Sequence, residues 1–460
     1  MPRATRTAGL FAVGLGTIAA PLDTAVNIAF PSITQAFALE IEDIRWVVTA
    51  YVLTYASLML IFGKLGDLLG YRRIFQCGLV VGAAGFLACA AAPTYALLLL
   101  GRVLQGIGVA LILSCGPALA TSLYSERDRS RALGAYAAVM AAGSALGPLI
   151  GGLLVERWGW RGVFWFRAPV VLTALALSGL IPASPRTDWA RGFDAIGAVL
   201  LVTWMSALLL AFSLPTQGLG GATVSIGLAL LAMVGFAGFI AHEMHHAEPI
   251  IRPSLFADID FALVNAANIA VNFATFSVLL LVPYFLLRLT GLEPVLGGAV
   301  LAVGAGGMVI GSWVAGRVRT GGGWLAPVGI ALAAAGLWGA STWMPATDLL
   351  IVVLSLLVQG VGAGLFQVAY ADRVIAALPV EDRGIAGSLT MVTRTLGIVG
   401  AASGLSAAFR HFEAEAVSTG ATPVAAFLAG FQLTFFWVAA GLALCLVLTL
   451  MRPRMWLVPS

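Results

Sequence analysis

The stretch Gln105-Gly106-Ile107-Gly108 returns 254 residues later as Gln359-Gly360-Val361-Gly362, and the residues that follow it return at the same spacing. Asp128-Arg129 and Gly143 follow the first copy, and Asp382-Arg383 and Gly397 follow the second. Each copy joins two long apolar stretches through a short charged loop. Such a repeat is typical of membrane proteins built from two similar halves, whereas soluble solenoids repeat over shorter periods.

The composition places the chain in a membrane. Of its 460 residues, 60% are hydrophobic and only 10% are charged, and the mean hydropathy of +0.99 excludes a water-soluble chain of this length. Fourteen apolar stretches of about 20 residues are each long enough to cross a bilayer, where only a helix satisfies its own backbone hydrogen bonds. The expected fold class is therefore all-α and integral to the membrane, with fourteen transmembrane helices.

The repeat spacing also predicts the domain organisation. It relates the fourth predicted helix to the twelfth and the fifth to the thirteenth, so equivalent helices lie eight apart rather than six. Two extra helices therefore stand between two six-helix halves. We predict an N-terminal half over residues 1–185, an inserted pair of helices over 186–256 and a C-terminal half over 257–460.

The basic residues predict the orientation. Most arginines fall in loops that share one side of the membrane with the amino terminus, and the basic bias of short loops places that side inside the cell. Both termini are then cytoplasmic, in a multi-pass protein of the cell (inner) membrane. The net charge of +4 is spread over these loops without a basic stripe, which argues against nucleic acid as a partner.

Five sets of residues resemble one family. They lie in the inner loop after the second predicted helix, in the fourth and fifth helices, and around the inserted pair: Gly63-Lys64-Leu65-Gly66-Asp67-Leu68-Leu69-Gly70-Tyr71-Arg72-Arg73, Leu100-Gly101-Arg102 with Gln105-Gly106, Gly143 with Gly147-Pro148 and Gly151-Gly152, Phe193-Asp194-Ala195-Ile196-Gly197-Ala198, and Glu248-Pro249-Ile250. Together they resemble the major facilitator superfamily, and within it the fourteen-spanner drug:proton antiporters, over nearly the whole chain.

This resemblance implies a function. A member of that family is a proton-coupled efflux transporter that exports small amphipathic compounds by alternating access. It is not an enzyme, and it needs no cofactor because the proton gradient drives it. Its partners would be protons, the small amphipathic substrate and the lipid bilayer, and we expect it to act as a monomer.

Asp23 is the one carboxylate clearly inside a predicted helix, where a charge is costly enough that it usually marks an ion or proton path. Arg102 is its expected partner. Asp23 lies eight residues before Pro31 and Arg102 seven after Tyr95, so at about 1.5 Å per residue the two lie at similar depths. We predict that Asp23 and Arg102 couple proton flow to transport, with a static ion pair between two helices as the alternative.

Gating is expected in the inner loop and in the fifth helix, with the candidate residues Gly63, Asp67, Arg72, Arg73, Gly143, Gly147 and Pro148. In the loop, the glycines allow a sharp turn and the acid can bind its basic neighbours, which makes a breakable latch. The second half carries Thr320 in place of the acid, so the latch is one-sided. In the fifth helix, small residues permit close helix approach and the proline bends the helix, with ordinary tight packing as the alternative.

Seven residues are predicted to bind substrate: Asn27, Gln105, Arg167, Asn265, Asn268, Asn272 and Arg394. The last three asparagines and Thr275 recur at spacings of three, four and three, which forms a polar stripe that faces either a wet cavity or a neighbouring helix. Arg167 stands where the family usually shows an asparagine. Three interior arginines against one carboxylate favour neutral, zwitterionic or anionic amphiphiles over dications.

Two alternatives remain open. The pentad His242-Glu243-Met244-His245-His246 matches HExxH, in which two histidines bind zinc and the glutamate acts as a base, so an intramembrane zinc protease is one alternative. The pentad lies where a helix meets a charged inner loop with no evident third ligand, which favours a plain loop, and we expect no metal site. The other alternative is an exporter of a lipid, siderophore or other metabolite, because a fold does not determine its cargo.

Overall fold

The computed structural model of the chain describes residues 3–122, 129–181, 194–213, 219–246, 257–317, 324–377 and 383–456. Every regular element in these ranges is helical, which confirms the all-α fold class. The α-helices are α1 (Arg3–Thr17), α2 (Ala25–Ala36), α3 (Arg45–Leu69), α4 (Tyr71–Ala91), α5 (Tyr95–Ser122), α6 (Arg129–Trp158), α7 (Gly162–Trp165), α8 (Arg167–Leu177), α9 (Ala195–Ser213), α10 (Leu219–Glu243), α11 (Ile259–Tyr284), α12 (Pro294–Ala315), α13 (Leu325–Ala340), α14 (Leu349–Ala377), α15 (Arg383–Ser418) and α16 (Pro423–Met451).

Eleven helical segments within the described residues are long and apolar enough to cross a membrane, judged by length and composition. Helices α9 and α13 contribute the shorter apolar stretches Ile196–Leu208 and Leu325–Ala340. Large apolar side chains such as Leu100, Val234 and Met451 are exposed on these helices, as expected where lipid rather than water covers the surface. The chain is thus a multi-pass membrane protein, and the count of fourteen helices stays a prediction.

Two of the spans are broken. Helices α1 and α2 form the span Ala8–Ala36, which is interrupted by a 3₁₀ turn over Pro21–Thr24. The proline that opens this turn lacks an N–H and therefore cannot donate to the α-helical ladder. Helices α7 and α8 likewise form the span Gly162–Leu180, and α8 begins at Arg167. The first break contains Asp23, so both interruptions place charged residues within a span.

The packing of the helices repeats. In the first part of the chain α4 packs along α5, α3 packs against α5, α2 against α6, and α4 against α8. In the second part α13 packs along α14, α12 against α14, α11 against α15, and α13 against α16. With α1–α2 and α7–α8 each taken as one span, every pair corresponds to the pair eight spans later. The duplication inferred from the sequence is therefore present in the packing.

The chain divides into two compact units, Met1–Val202 and Thr203–Ser460. The division falls inside α9, so it cuts through the region predicted as an inserted pair. The three-part organisation into residues 1–185, 186–256 and 257–460 stays a prediction.

Glycines bring the backbones of paired helices into contact. A Cβ atom added to Gly78 of α4 would lie 2.9 Å from the Ile112 nitrogen of α5. A Cβ atom added to Gly329 of α13 would lie 2.6 Å from the Gly362 oxygen of α14. Since neither position has room for a side chain, the corresponding helix pairs of both units depend on small residues for their close approach.

The carboxyl-terminal segment folds back onto the second unit. A 3₁₀ turn over Pro453–Trp456 follows α16, and Met455 and Trp456 are both buried. Arg373 Nε of α14 donates a 2.6 Å hydrogen bond to the Met455 carbonyl oxygen. The ring of Trp456 meets that of Phe366 edge to face, with centroids 5.7 Å apart. These contacts join the 3₁₀ turn to α14.

Candidate functional site

Asp23 lies at the centre of a buried polar cluster in the first unit. Its Oδ1 atom accepts hydrogen bonds from Arg102 Nη1 at 2.7 Å, Arg167 Nη1 at 2.6 Å and Gln105 Nε2 at 2.9 Å. Its Oδ2 atom accepts one from Arg102 Nη2 at 2.8 Å. The Asp23 side chain is 15% exposed, whereas the side chains of Arg102 and Arg167 are 1% and 0% exposed. The cluster therefore reaches solvent or ligand through the carboxylate alone.

Arg102 is held on several sides. Its Nε atom donates to the Val47 carbonyl oxygen of α3 at 2.7 Å, and its Nη1 atom also donates to Gln105 Oε1 at 3.0 Å. The ring of Tyr51 lies 4.3 Å from the centre of its guanidinium, a cation–π contact. With the two bonds to Asp23, these contacts fix the guanidinium between α3 and α5. The predicted Asp23–Arg102 pair is present in the structure.

Arg167 is the second cation on the same carboxylate. Its Nε atom donates to the Val163 carbonyl oxygen at 3.1 Å, and the rings of Phe86 and Phe164 lie 4.6 and 5.6 Å from its guanidinium. Its Nη2 atom is buried and has no hydrogen-bond partner among the residues that the structure describes. Because arginine stays charged, this side chain adds a positive charge that Asp23 must share with Arg102.

Glycines of α6 pack against the 3₁₀ turn that contains Asp23. A Cβ atom on Gly143 would lie 2.7 Å from Pro21 Cγ, and one on Gly147 would overlap Thr24 Oγ1. A Cβ atom on Gly151 would lie 2.6 Å from the Ala25 carbonyl oxygen. The glycines recur every four residues and therefore line one face of the helix. Two of the predicted gating residues thus contact the turn that holds the candidate proton site.

The second unit contains a neutral counterpart of this arrangement. Gln359 lies 254 residues after Gln105, and its Nε2 atom donates to Thr275 Oγ1 at 3.3 Å, just as Gln105 donates to Asp23. Gly397, the counterpart of Gly143, would place a Cβ atom 2.8 Å from Asn272 Cβ. The same scaffold thus occurs twice, with a carboxylate in the first unit and a hydroxyl in the second.

The asparagine stripe of α11 is largely engaged by other helices. Asn268 Nδ2 donates to Thr393 Oγ1 of α15 at 2.8 Å, and Tyr370 Oη of α14 donates to Asn265 Oδ1 at 3.0 Å. Asn265 and Asn268 are 2% and 0% exposed, whereas Asn272 is half-buried and donates to Asn268. These contacts match the interhelical alternative for the two buried residues. Substrate binding by the stripe stays a prediction.

The remaining predicted substrate residues differ in their burial and in the residues that surround them. Asn27 is buried within α2, one turn beyond Asp23, and Gln105 belongs to the carboxylate cluster. Arg394 is exposed on α15 of the second unit, in contrast to the buried Arg167. The structure therefore brings Gln105 and Arg167 to Asp23, and it places Arg394 in a different setting.

The loop after α3, predicted to lie on the inner side, is a single glycine in the structure. Gly70 joins α3 to α4 at a φ of +94°, a conformation that favours glycine. Gly63 lies within α3, where an added Cβ atom would meet nothing within 4 Å. Arg72 is half-buried and Arg73 exposed at the start of α4, while the side chain of Asp67 lies outside the described ones. The one-sided latch stays a prediction.

Sequence reasoning did not predict that Arg167 would bind Asp23. A signal was present, because an arginine occupies a position where the resembling family shows an asparagine, inside a span that contains no other charged residue. An interior cation needs a counter-charge, and Asp23 was the only clear candidate in the interior. The structure supplies that pairing from the first residue of α8, where Arg167 Nη1 bonds Asp23 Oδ1.

Comparisons with known proteins agree with this architecture. The family model of the Major Facilitator Superfamily matches residues 12–402. The tetracenomycin C resistance and export protein of Streptomyces glaucescens is 32% identical over 397 residues, which cover 84% of this chain and 73% of that protein. The riboflavin transporter RibZ of Clostridioides difficile is 26% identical over 391 residues, covering 84% of each chain.

Among solved structures, a bacterial homologue of the human lysosomal transporter Spinster, in an inward-facing and unoccupied conformation, matches with a TM-score of 0.74 and 18% identity. The match covers 99% of this chain and 98% of that one, and at this identity it shows the fold. The chain therefore belongs to the Major Facilitator Superfamily and is a membrane transporter rather than an enzyme.

Proposed function

We propose that this chain is a proton-coupled efflux transporter of the cell membrane, in which Asp23 takes up the proton and Arg102 is its partner. One observation carries the proposal. The Asp23 carboxylate is largely buried in a broken membrane helix, and it accepts four hydrogen bonds from side chains of two other helices. Export of a small amphipathic compound is supported by the resemblance to a resistance and export protein.

Protonation of Asp23 changes the hydrogen bonding and the charge balance of the cluster. The ionised carboxylate accepts every donor that surrounds it, whereas a protonated Asp23 carries an O–H in place of one acceptor. Arg102 and Arg167 keep their charges, so protonation leaves two buried guanidiniums without a counter-charge. An uncompensated buried charge is costly, and the proton therefore favours a conformation in which these helices have separated.

The turn that carries Asp23 is suited to such a movement. It has already left the α-helical ladder at Pro21, and it lies on the glycine face formed by Gly143 and Gly147. A helix face without side chains lets a neighbouring segment slide or rotate with few steric barriers. In the proposed cycle, proton uptake on one side of the membrane and release on the other alternate with cargo release and binding.

The finer topology belongs to the same proposal. We propose fourteen crossings, with α1–α2 and α7–α8 each counted as one span, and an even number of crossings puts both termini on one side. The distribution of arginines puts that side in the cytoplasm. Reporter fusions at each end test this, because a reporter that is active only in the periplasm or outside the cell should remain silent at both termini.

The test of coupling uses Asp23→Asn in the full chain. A susceptibility screen of cells with and without the chain, using amphiphiles of each charge class, identifies the exported probe. In proteoliposomes, a pH gradient should drive that probe through the wild type, and Asp23→Asn should lose this drive. Asp260→Asn is the matched control, because Asp260 also pairs with an arginine but is partly exposed at the surface. Unchanged gradient-driven export by Asp23→Asn contradicts the proposal.

A second candidate function is transport of a metabolite on the same fold, and the relationship to a riboflavin transporter favours it. The same screen separates the two candidates. Protection against several unrelated amphiphiles supports drug export, whereas altered riboflavin accumulation without protection supports the metabolite.

A further inference from the structure

The cluster around Asp23 holds more positive than negative charge. Two guanidiniums, of Arg102 and Arg167, bond one carboxylate, and Asp23 is the only acidic side chain that bonds them among the described residues. The cluster therefore keeps one net positive charge when Asp23 is ionised and two when it is protonated. All three side chains are largely withdrawn from water, so solvent screens this charge weakly.

Arg167 has fewer hydrogen-bond partners than Arg102, so its positive charge is the less well compensated of the two. Arg102 uses each of its donor nitrogens on Asp23, Gln105 or the Val47 carbonyl oxygen. Arg167 makes one bond to Asp23 and one to Val163, and its buried Nη2 atom has no partner among the described residues. The side chain is fully buried, so its charge acts on the cargo through the electrostatic field of the cluster rather than by direct contact.

We propose that Arg167 determines the charge class of the cargo, and that the exported compounds are uncharged amphiphiles. This inference rests on the proposed function of Asp23 as the coupling site. A cation approaching the cluster meets net positive charge in both protonation states. A unit charge about 8 Å away, at an effective dielectric of about 20, changes affinity by roughly 30-fold.

Anionic cargo is disfavoured for a different reason. Protonation of Asp23 raises the charge of the cluster, so a bound proton strengthens the binding of an anion. By linkage the anion also strengthens the binding of the proton. The two would then travel in the same direction, whereas export against an inward proton gradient requires them to exchange. An uncharged cargo avoids both conflicts.

The experiment measures binding to the purified full chain without any gradient. Two probes share three phenyl rings on phosphorus: tetraphenylphosphonium carries one positive charge, and triphenylphosphine oxide is uncharged with one acceptor oxygen. The wild type should bind the oxide at least about tenfold more tightly than the phosphonium. Arg167→Gln should raise phosphonium affinity by roughly tenfold or more and change the affinity of the uncharged oxide by less than about threefold. Arg167→Lys, which keeps the charge, should still reject the phosphonium.

Arg161→Gln is the matched control, since it removes the same formal charge at an exposed position where Arg161 bonds the Ala92 carbonyl oxygen. It should leave both affinities unchanged. Equal wild-type affinity for the two probes overturns the inference even where Arg167→Gln fails to fold, and so does a folded Arg167→Gln that still rejects the phosphonium. Failure of the proposed function is seen separately, as proton-driven export that survives in Asp23→Asn.

Discussion

Gln359 donates a 3.3 Å hydrogen bond to Thr275 in the second unit, in the arrangement in which Gln105 donates to Asp23 in the first. The two glutamines lie 254 residues apart and come from the same position of the internal repeat. The duplication has therefore kept the donor, while its acceptor in the second unit, Thr275, lies two residues before Ser277, the position 254 residues after Asp23. A hydroxyl cannot take up a proton at physiological pH as a carboxylate can, so under the proposed function we expect the proton to bind at Asp23 and not at Thr275.

This asymmetry predicts different effects for the same substitution in the two units. Gln105→Leu removes a hydrogen bond to a charged group, worth about 1.5–3 kcal/mol, and Gln359→Leu removes one between neutral groups, worth about 0.5–1.5 kcal/mol. We expect Gln105→Leu to reduce gradient-driven export more than tenfold and Gln359→Leu to reduce it less than threefold. Flux into proteoliposomes measures both, and equal losses would show that the two units contribute alike.

The glycine face of α6 predicts a steric effect on the turn that carries Asp23. Gly147→Ala places a methyl group where Thr24 Oγ1 lies, and overpacking of this kind costs about 1–3 kcal/mol. We expect a lower melting temperature and a loss of transport. Gly441→Ala on α16 is the control, because a Cβ atom there meets nothing within 4 Å and alanine favours a helix. A fully active, stable Gly147→Ala would show that the turn accommodates the added methyl group without loss of stability.

The features that follow from local chemistry were predictable from the sequence. Apolar length and composition gave the helical membrane class, and the 254-residue repeat gave the packing that recurs between α4–α5 and α13–α14. The depth argument for Asp23 and Arg102 also succeeded, because helical rise converts sequence distance into depth. The family resemblance is confirmed, and membership of a transporter family removes the basis for the zinc-protease alternative at His242–His246.

The features that the sequence did not determine depend on how the helices are rotated about their axes. Arg167 on α8 faces Asp23, and periodicity alone does not give that direction. Rotation likewise decides which face of α11 meets α14 and α15, so the pattern of asparagines fitted a wet face and a packed face equally well. Tertiary packing determines these helix orientations, and a single sequence does not reveal that packing.

The buried part of the α11 stripe predicts a structural rather than a substrate-binding role. Asn268→Ala breaks the bond to Thr393 and leaves a buried hydroxyl without its donor, at a cost of about 1–3 kcal/mol. We expect a lower melting temperature and cargo affinity within about twofold of wild type. Thr393→Val should destabilise similarly, and the double variant should be less destabilised than the sum of the two because the residues share one bond. A selective loss of cargo affinity would instead place Asn268 in the binding site.

The carboxyl-terminal segment predicts a strong effect of one aromatic residue on stability. Trp456 is 3% exposed and packs on Phe366, so Trp456→Ala removes a buried ring at a cost of about 3–5 kcal/mol. Trp437→Ala is the control, because Trp437 is 59% exposed on α16 and should cost far less. Thermal unfolding of the detergent-purified chain compares them, and equal melting temperatures would show that the segment adds no stability.

The last prediction concerns the charge balance of the Asp23 cluster itself. Asp23→Asn leaves Arg102 and Arg167 buried with only neutral acceptors, and breaking a buried ion pair from one side costs about 3–5 kcal/mol. The double variant Asp23→Asn with Arg167→Gln restores one net positive charge, as in the wild type with Asp23 ionised. We therefore expect the double variant to melt at a higher temperature than Asp23→Asn alone, in a double-mutant cycle with strong favourable coupling. Additive losses would mean that the two side chains, although 2.6 Å apart, do not stabilise each other.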